Sequence, residues 1–314
     1  MTDSIPLIDA ATVEHLTPMP ALIAALRAAF ANGGYQSPPR YAKDMSKTSS
    51  LLVMPSWSEG AKLGVKIVNV DRVARPSVRS SYVLMDRATA HPLAILDGPT
   101  LTRRRTAAAS VLAATYLARP DSGRLLLLGT GAMIPALIEA YASQFPIENI
   151  FIWGRDPENA KAAAAHARAA DFQAEAVSDI SAALANVDIV SAATLATSPL
   201  IKGEALRPGT HVDLIGAFRP EMCEADGVAF ARSQVFVDTY EGAMNEAGDL
   251  LQAIASGHFR ADAIAADLAS LCREKHKGRG ADRNAITLFK SVGAALEDLA
   301  AAELVFERWS ESRA

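Results

Sequence analysis

The apolar residues follow two different rhythms along the chain. From Thr17 to Phe30 (TPMPALIAALRAAF) they recur at helical spacing, with Thr17 reading as the N-cap and Pro18 as the first helical residue. A turn rich in Gly and Pro, ANGGYQSPPR, comes next. Short runs then predict strands over Ser50–Pro55, Lys62–Val70, Ser81–Asp86 and Pro92–Leu96. Gly, Asp and Pro punctuate them at a spacing that fits an antiparallel sheet. Thr102–Leu117 is Ala-rich and helical, and Pro120-Asp121-Ser122-Gly123 breaks the chain as a domain junction does.

From Arg124 the rhythm changes. Leu125–Leu128 is wholly apolar, as in strands buried on both faces of a parallel sheet. A helix to about Ala142 follows, then a strand at Ile150–Trp153 and a helix at Pro157–Ala170. Further strands are predicted at Ala174–Val177, Asp188–Ala192, His211–Ile215 and Val235–Asp238, with a helix around Ile180–Leu184. Strands alternating with helices predict an α/β fold with a doubly wound parallel sheet. Asn284–Arg308 reads mainly as one long helix, Leu288–Phe306, packed back on the first domain.

Composition narrows the class. Of the 314 residues, 50% are hydrophobic and 21% charged, enough for a real core and a length that suits two domains. A formal net charge of -4 argues against a nucleic-acid partner, which would call for a basic stripe. Cys223 and Cys272 form no CxxC pair and read as free thiols in a reducing cytosol. The start, MTDSIPLIDAATVEHL, carries acids and has no basic segment followed by an apolar run, so it does not read as a secretory leader. The longest apolar stretch, Leu125–Tyr141, is broken by Gly-Thr-Gly and Pro135 before reaching the ~18 residues of a membrane span. The expectation is a cytoplasmic protein without a membrane partner.

The chemistry concentrates in LLLLGTGAMIPAL. A buried strand ends at Gly129, Gly131 completes a tight turn, and a helix begins at once. Amides and the positive dipole end of such a helix favour a pyrophosphate. The third glycine of the usual fingerprint is missing, Pro135 standing in that neighbourhood, so placement rather than the motif favours nucleotide binding over a plain turn. The next strand ends in Trp153-Gly154-Arg155, with no acid for the ribose hydroxyls and an arginine able to pair with a 2′-phosphate. That favours NADPH over NADH, against the alternative that Arg155 is a solvated charge and Asp156 merely a helix cap. Thr194 stands where a parallel sheet contacts ligands, though a plain loop threonine fits equally. Lys66, in KLGVKIVNV, points either to solvent or into a cleft, and base rates favour solvent. The triplet Arg103-Arg104-Arg105 reads as a solvated patch by the same rule.

The segments GVKIVNV, DGPTLTRRRTAAASVLAATYLARP, LLLLGTGAM, DIVSAATLATSPLI, LRPGTHVDLIGAFRPEMCEAD and ITLFKSVGAALEDLAAAELV together resemble the ornithine cyclodeaminase/μ-crystallin family, from about Arg40 to the end. The resemblance implies a Rossmann-type domain at 120–294 inserted into a smaller α+β substrate and dimerisation domain, 1–119 with 295–314. It implies a homodimer. It also implies that Arg40, Lys66 and Arg105 clamp a substrate α-carboxylate, and that Ser81, Arg105, Ala132, Met133, Thr194 and Ser291 join Gly129, Gly131 and Arg155 around the cofactor. The family's usual Gln stands replaced by Met133, and Gly154 stands where NAD-using members carry an acid.

Two departures separate chemistries within the family. Met54 stands where cyclodeaminases carry a glutamate for the α-amine, and Phe218 where they carry an aspartate for the second amine. A diamine would then bury an unpaired ammonium, at a cost of several kcal/mol. The pattern, with the LIGAFRP loop, resembles the ketimine reductase branch. It implies reduction of Δ1-pyrroline-2-carboxylate or Δ1-piperideine-2-carboxylate to L-proline or L-pipecolate, in a pocket without negative charge. Lys66 or an ordered water would be the proton donor, with NADPH preferred and NADH possible. Within the family, ornithine cyclodeaminase and an alanine-dehydrogenase-like activity remain the alternatives. Outside catalysis, a μ-crystallin-like binding protein is the alternative.

Overall fold

Residue Asp9 accepts the Thr12 amide on its carboxyl, and this cap starts a short helix that the apolar spacing does not mark. The structure, a computed structural model, describes residues 4–59, 62–71, 73–74 and 78–313. Met1–Asp3, part of the stretch read against a leader, lie outside the described residues. The chain opens with β1 (Leu7–Ile8), α1 (Ala10–Leu16), α2 (Met19–Asn32), β2 (Tyr35–Gln36) and β3 (Tyr41–Asp44). It continues through β4 (Ser49–Ser58), β5 (Lys62–Asp71), β6 (Val78–Asp86), β7 (Pro92–Asp97) and α3 (Gly98–Leu117). Pro18, not Thr17, is the N-cap of α2. Thr17 closes α1 instead, its hydroxyl donating to Val13 O at 2.7 Å, because the chain cannot enter α2 before α1 has ended.

The second stretch runs β8 (Arg124–Leu128), α4 (Met133–Gln144), β9 (Asn149–Trp153), α5 (Pro157–Ala169), β10 (Gln173–Ala176), α6 (Ile180–Leu184) and β11 (Ile189–Ala192). Then come β12 (His211–Leu214), α7 (Gly227–Ala231), β13 (Ser233–Val237), α8 (Tyr240–Glu246), α9 (Gly248–Ala255), β14 (Ile264–Asp267), α10 (Leu268–Cys272), β15 (Ile286–Lys290) and α11 (Ala295–Glu311). The single helix expected over Leu288–Phe306 is therefore two elements. Ile286–Lys290 is a buried central strand, and Gly293, at φ 83°, turns the chain before α11 begins. A run of five buried residues looks alike in a strand and in a core helix.

Contacts divide the chain into two compact units, residues 1–109 with 294–314 and residues 110–293, so the changeover falls inside α3, ahead of the break at Pro120. The first unit holds a seven-stranded sheet ordered β1-β7-β6-β5-β4-β2, with β3 also on β4. The strands β4 to β7 pair antiparallel, as their punctuation predicts. Helix α11 lies over β4, β5 and β6 and packs on α2. Strand alternation puts Met54, Lys66, Tyr82 and Leu96 in one cross-strand row, and all four are buried. Val53, Ile67 and Ser81 form the neighbouring row on the opposite face.

The second unit is an eight-stranded parallel sheet ordered β10-β9-β8-β11-β12-β15-β13-β14. The order reverses between β8 and β11, the switch point at which such sheets bind ligands beyond their carboxyl ends. This is the doubly wound Rossmann-type fold that the alternation of elements predicts. Its centre buries Asp213, which accepts Ser110 Oγ at 3.0 Å, Tyr141 OH at 3.0 Å and Ser191 Oγ at 2.6 Å. At the amino ends of β8 and β11 Asp188 accepts the Gly123 and Arg124 amides, each at 3.0 Å, and holds Arg119 and Arg207. Cys223 and Cys272 are both buried, and neither forms a disulfide among the described residues. Among the described residues no helix is long and apolar enough to cross a membrane.

Candidate active site

The glycine turn has the shape of a cradle. Gly129 takes φ 123°, and a Cβ there would stand 2.8 Å from Ala193 O, so only glycine lets the neighbouring loop come this close. A Cβ on Gly131 would meet nothing within 4 Å, so the turn opens on free space. Ala132 is the N-cap of α4 and Met133 its first residue, and no side chain caps the helix. Four buried leucines hold the preceding strand. An open turn feeding an uncapped helix start at the switch point fits a dinucleotide pyrophosphate.

The end of β9 carries the next discriminator. Gly154 is buried, and a Cβ on it would fall 2.5 Å from Thr130 Cγ2 of the glycine turn. Arg155 is exposed, and Asp156 caps α5 by accepting the Glu158 amide at 2.9 Å. On the ends of β11, β12 and β15 stand half-buried Thr194, Phe218 at 37% exposure, and buried Ser291.

In the first unit the two buried cations lie on acids that the sequence reading missed. Lys66 Nζ is 2.6 Å from Asp298 Oδ2, while Arg105 Nε donates to Asp298 Oδ1 at 2.9 Å and its Nη1 to Glu297 Oε2 at 2.7 Å. All four side chains are at most 6% exposed. Burial draws the Lys66 ammonium down to about 8, opposed by Asp298 and assisted by the charges of Arg105 and Arg40. Burial alone would raise the Asp298 carboxyl, but Arg105 and Lys66 outweigh it and hold the group below its ordinary value. Arg40 is half-buried in the segment before β3 and close enough for its charge to act on Lys66.

Three expectations are corrected here. Lys66 is not on a solvated face. Arg104 and Arg105 are not a solvated patch: Arg104, 2% exposed, reaches Glu14 at 2.8 Å and Thr17, while Arg105 takes Glu297 and Asp298. The surroundings of the cations do contain negative charge, because a buried cation without a partner costs several kcal/mol. Those carboxylates are already engaged by Lys66 and Arg105. The residue directly across from Lys66 is Met54, 5% exposed, so no acid stands on that side. Ser81 lies on the exposed face with Ile67, away from the face of Lys66. The readable clue to Glu297 and Asp298 is two adjacent acids at the start of a helix, followed at once by the apolar run Leu299–Ala302.

Comparison with known proteins identifies the family. The family model described as "Ornithine cyclodeaminase/mu-crystallin family" matches residues 6–313. A Delta(1)-pyrroline-2-carboxylate reductase of Paracoccus denitrificans is 39% identical over 263 residues, 82% of this chain and 83% of the relative. The ketimine reductase mu-crystallin of Mus musculus is 33% identical over 313 residues, 96% of each chain. Among solved structures, the Thermococcus litoralis Delta(1)-pyrroline-2-carboxylate reductase in complex with NADH and L-proline superposes with a TM-score of 0.93 at 32% identity, covering 98% of each chain.

Proposed function

The chain belongs to the ornithine cyclodeaminase/mu-crystallin family, and from that premise we propose that it is an NAD(P)H-dependent oxidoreductase that reduces a cyclic ketimine, Δ1-pyrroline-2-carboxylate or Δ1-piperideine-2-carboxylate, to L-proline or L-pipecolate. The observation that carries the reading is the pairing of Lys66 with Met54 across the sheet: a buried ammonium whose neighbour on β4 is apolar, with Tyr82 on β6. A cyclodeaminase substrate brings a second amine, and neither Met54 nor Phe218 can neutralise it. The relatives named above as reductases of this substrate class support the same choice.

Gly129, Gly131, Ala132 and Met133 would hold the pyrophosphate of the cofactor, with Thr194 and Ser291 at the ends of their strands beside the other half. A reduced nicotinamide, when bound, supplies the two electrons and the hydrogen that the imine carbon receives. The protein orients and protonates. Arg40, Lys66 and Arg105 draw the substrate carboxylate, with Asp298 fixing the last two in register. Lys66, drawn down to about 8, holds a proton at neutral pH and releases it more readily than an ordinary lysine, so its Nζ is the donor toward the imine nitrogen. Arg155, with a glycine rather than an acid at position 154, favours NADPH over NADH.

The apolar outward face of the seven-stranded sheet supports a homodimer. Val53, Trp57, Leu63, Val65 and Val83 are half-buried there, and Ile67 is 44% exposed. An apolar sheet face of this kind marks an association surface.

The deciding experiment offers the two cyclic imines, ornithine, pyruvate with ammonia, and each reduced cofactor. Loss of reduced-nicotinamide absorbance with a cyclic imine is the expected result. Ammonia released from ornithine without net cofactor consumption would replace this reading with cyclodeamination. Tight cofactor binding with no turnover of any of them would leave a binding protein.

A further inference from the structure

We propose that Glu224 is a positioning residue for the nicotinamide half of the cofactor, fixing through Thr194 and Gly216 the two loops that leave β11 and β12. The inference rests on the nicotinamide-dependent reading above.

Glu224 lies between β12 and α7 and is fully buried. Its Oε1 accepts two bonds from one residue, the Thr194 amide at 2.6 Å and the Thr194 hydroxyl at 2.7 Å. Gly216 lies against the same carboxyl, where any Cβ would collide with Thr194 O and with Glu224. Lys290, the buried last residue of β15, donates to Gly216 O and stands 3.2 Å from Asp249 Oδ2. Asp249 Oδ1 in turn accepts the Glu224 amide and, at 3.0 Å, the Ala225 amide. One buried polar chain thus ties the ends of β11, β12 and β15. The Thr194 loop also flanks the glycine turn, since Ala193 O occupies the space a Cβ of Gly129 would need.

The chain of bonds has a chemical consequence for Thr194. A hydroxyl has one proton, and here it goes to Glu224. The oxygen accepts the Ala196 amide at 3.3 Å and keeps one lone pair as an acceptor toward a ligand, and the carboxamide N–H is what a nicotinamide offers. An apolar side chain of similar size would fill the space, whereas Glu224 Oε2 is buried with no hydrogen-bond partner among the described residues. Burial pushes the Glu224 carboxyl up to about 8, with Lys290 opposing and Asp249 assisting. Glutamine keeps the shape of the side chain and the Oε1 acceptor that meets Thr194.

The test compares E224Q, E224L and T194V in the full-length protein. Two probes are titrated by fluorescence or calorimetry: NADH, and ADP-ribose, which lacks the nicotinamide. E224L is expected to weaken NADH about tenfold, the loss of one hydrogen bond, and to leave ADP-ribose within about twofold. T194V should match it, and E224Q should bind both probes like the wild type. With a cyclic imine, E224L and T194V should lose kcat while the imine KM holds. Equal weakening of NADH and ADP-ribose, or E224Q falling as far as E224L, would show a residue that only supports the fold and would overturn the proposal. So would unchanged NADH binding in E224L. If E224L does not fold, T194V against E224Q decides by the same criteria. A wild type that binds NADH but turns over no imine refutes the ketimine reading alone, because the two-probe comparison still judges Glu224.

Discussion

The Asp298 carboxylate stands 2.6 Å from the Lys66 ammonium, with both groups shut away from solvent. Its second oxygen holds Arg105, so one acid sets the spacing of two cations. D298N would take from Lys66 its counter-charge and leave Arg105 with Glu297 alone. We expect it to lose roughly 3–5 kcal/mol of stability, as when one partner of a buried pair is removed. Chemical denaturation measures that loss. Among molecules that remain folded, kcat/KM for the imine should fall by more than about tenfold while NADPH binding persists.

The same pair sets a pH limb. Lys66 donates only while protonated, and burial, with Asp298 opposing and Arg105 and Arg40 assisting, brings it to about 8. The expected log kcat/KM is flat below that value and falls as pH rises through it. Glu224 titrates in the same range, so the control is E224Q, which should keep the limb. K66R keeps a charge but not a titrating donor, and a limb surviving in K66R would assign it elsewhere.

Arg40 tests the clamp without disturbing the Asp298 pair. R40A should raise the imine KM by about tenfold or more, as for a lost charge-assisted hydrogen bond, and leave NADPH affinity within about twofold. Equal losses of imine and NADPH would refute its place in the clamp.

Arg155 tests cofactor choice. R155A should weaken NADPH by about tenfold and NADH by no more than about twofold, the worth of one charge-assisted bond to a 2′-phosphate. Fluorescence titration with both cofactors reads this directly, and parallel losses would remove the argument for NADPH.

Ile67 tests the sheet face. I67E places a charge in the middle of an apolar surface and should shift the protein from dimer to monomer by light scattering. A wild type that is already monomeric would refute the homodimer.

The second unit was legible because its signals are local. A run of leucines, a glycine turn and a helix can be read from consecutive residues. Strand Ile286–Lys290 was not, since a short buried apolar run carries no periodicity of its own and the helix formers after it extend the impression of a helix. The cation cluster was half legible. Arg105 and Lys66 are visible as charges, but their partners lie 193 residues beyond Arg105 and even further beyond Lys66 in the chain. No short-range rule predicts that a cation in an Ala-rich helix has an acid waiting there. Glu224, Asp249 and Lys290 escaped for the same reason. Each looks like a surface charge until the loops that bury it are in place.

Asp298 sits on the final helix, past the whole inserted parallel-sheet unit. During synthesis, Lys66 and Arg105 therefore leave the ribosome long before the acid that neutralises them exists, and the first unit cannot finish folding until α11 has emerged. A nascent chain stalled before α11, or a protein clipped there by a protease, would hold two cations with nothing to bury them against. Quality control would meet such a chain as an open, charged sheet rather than as a smaller enzyme.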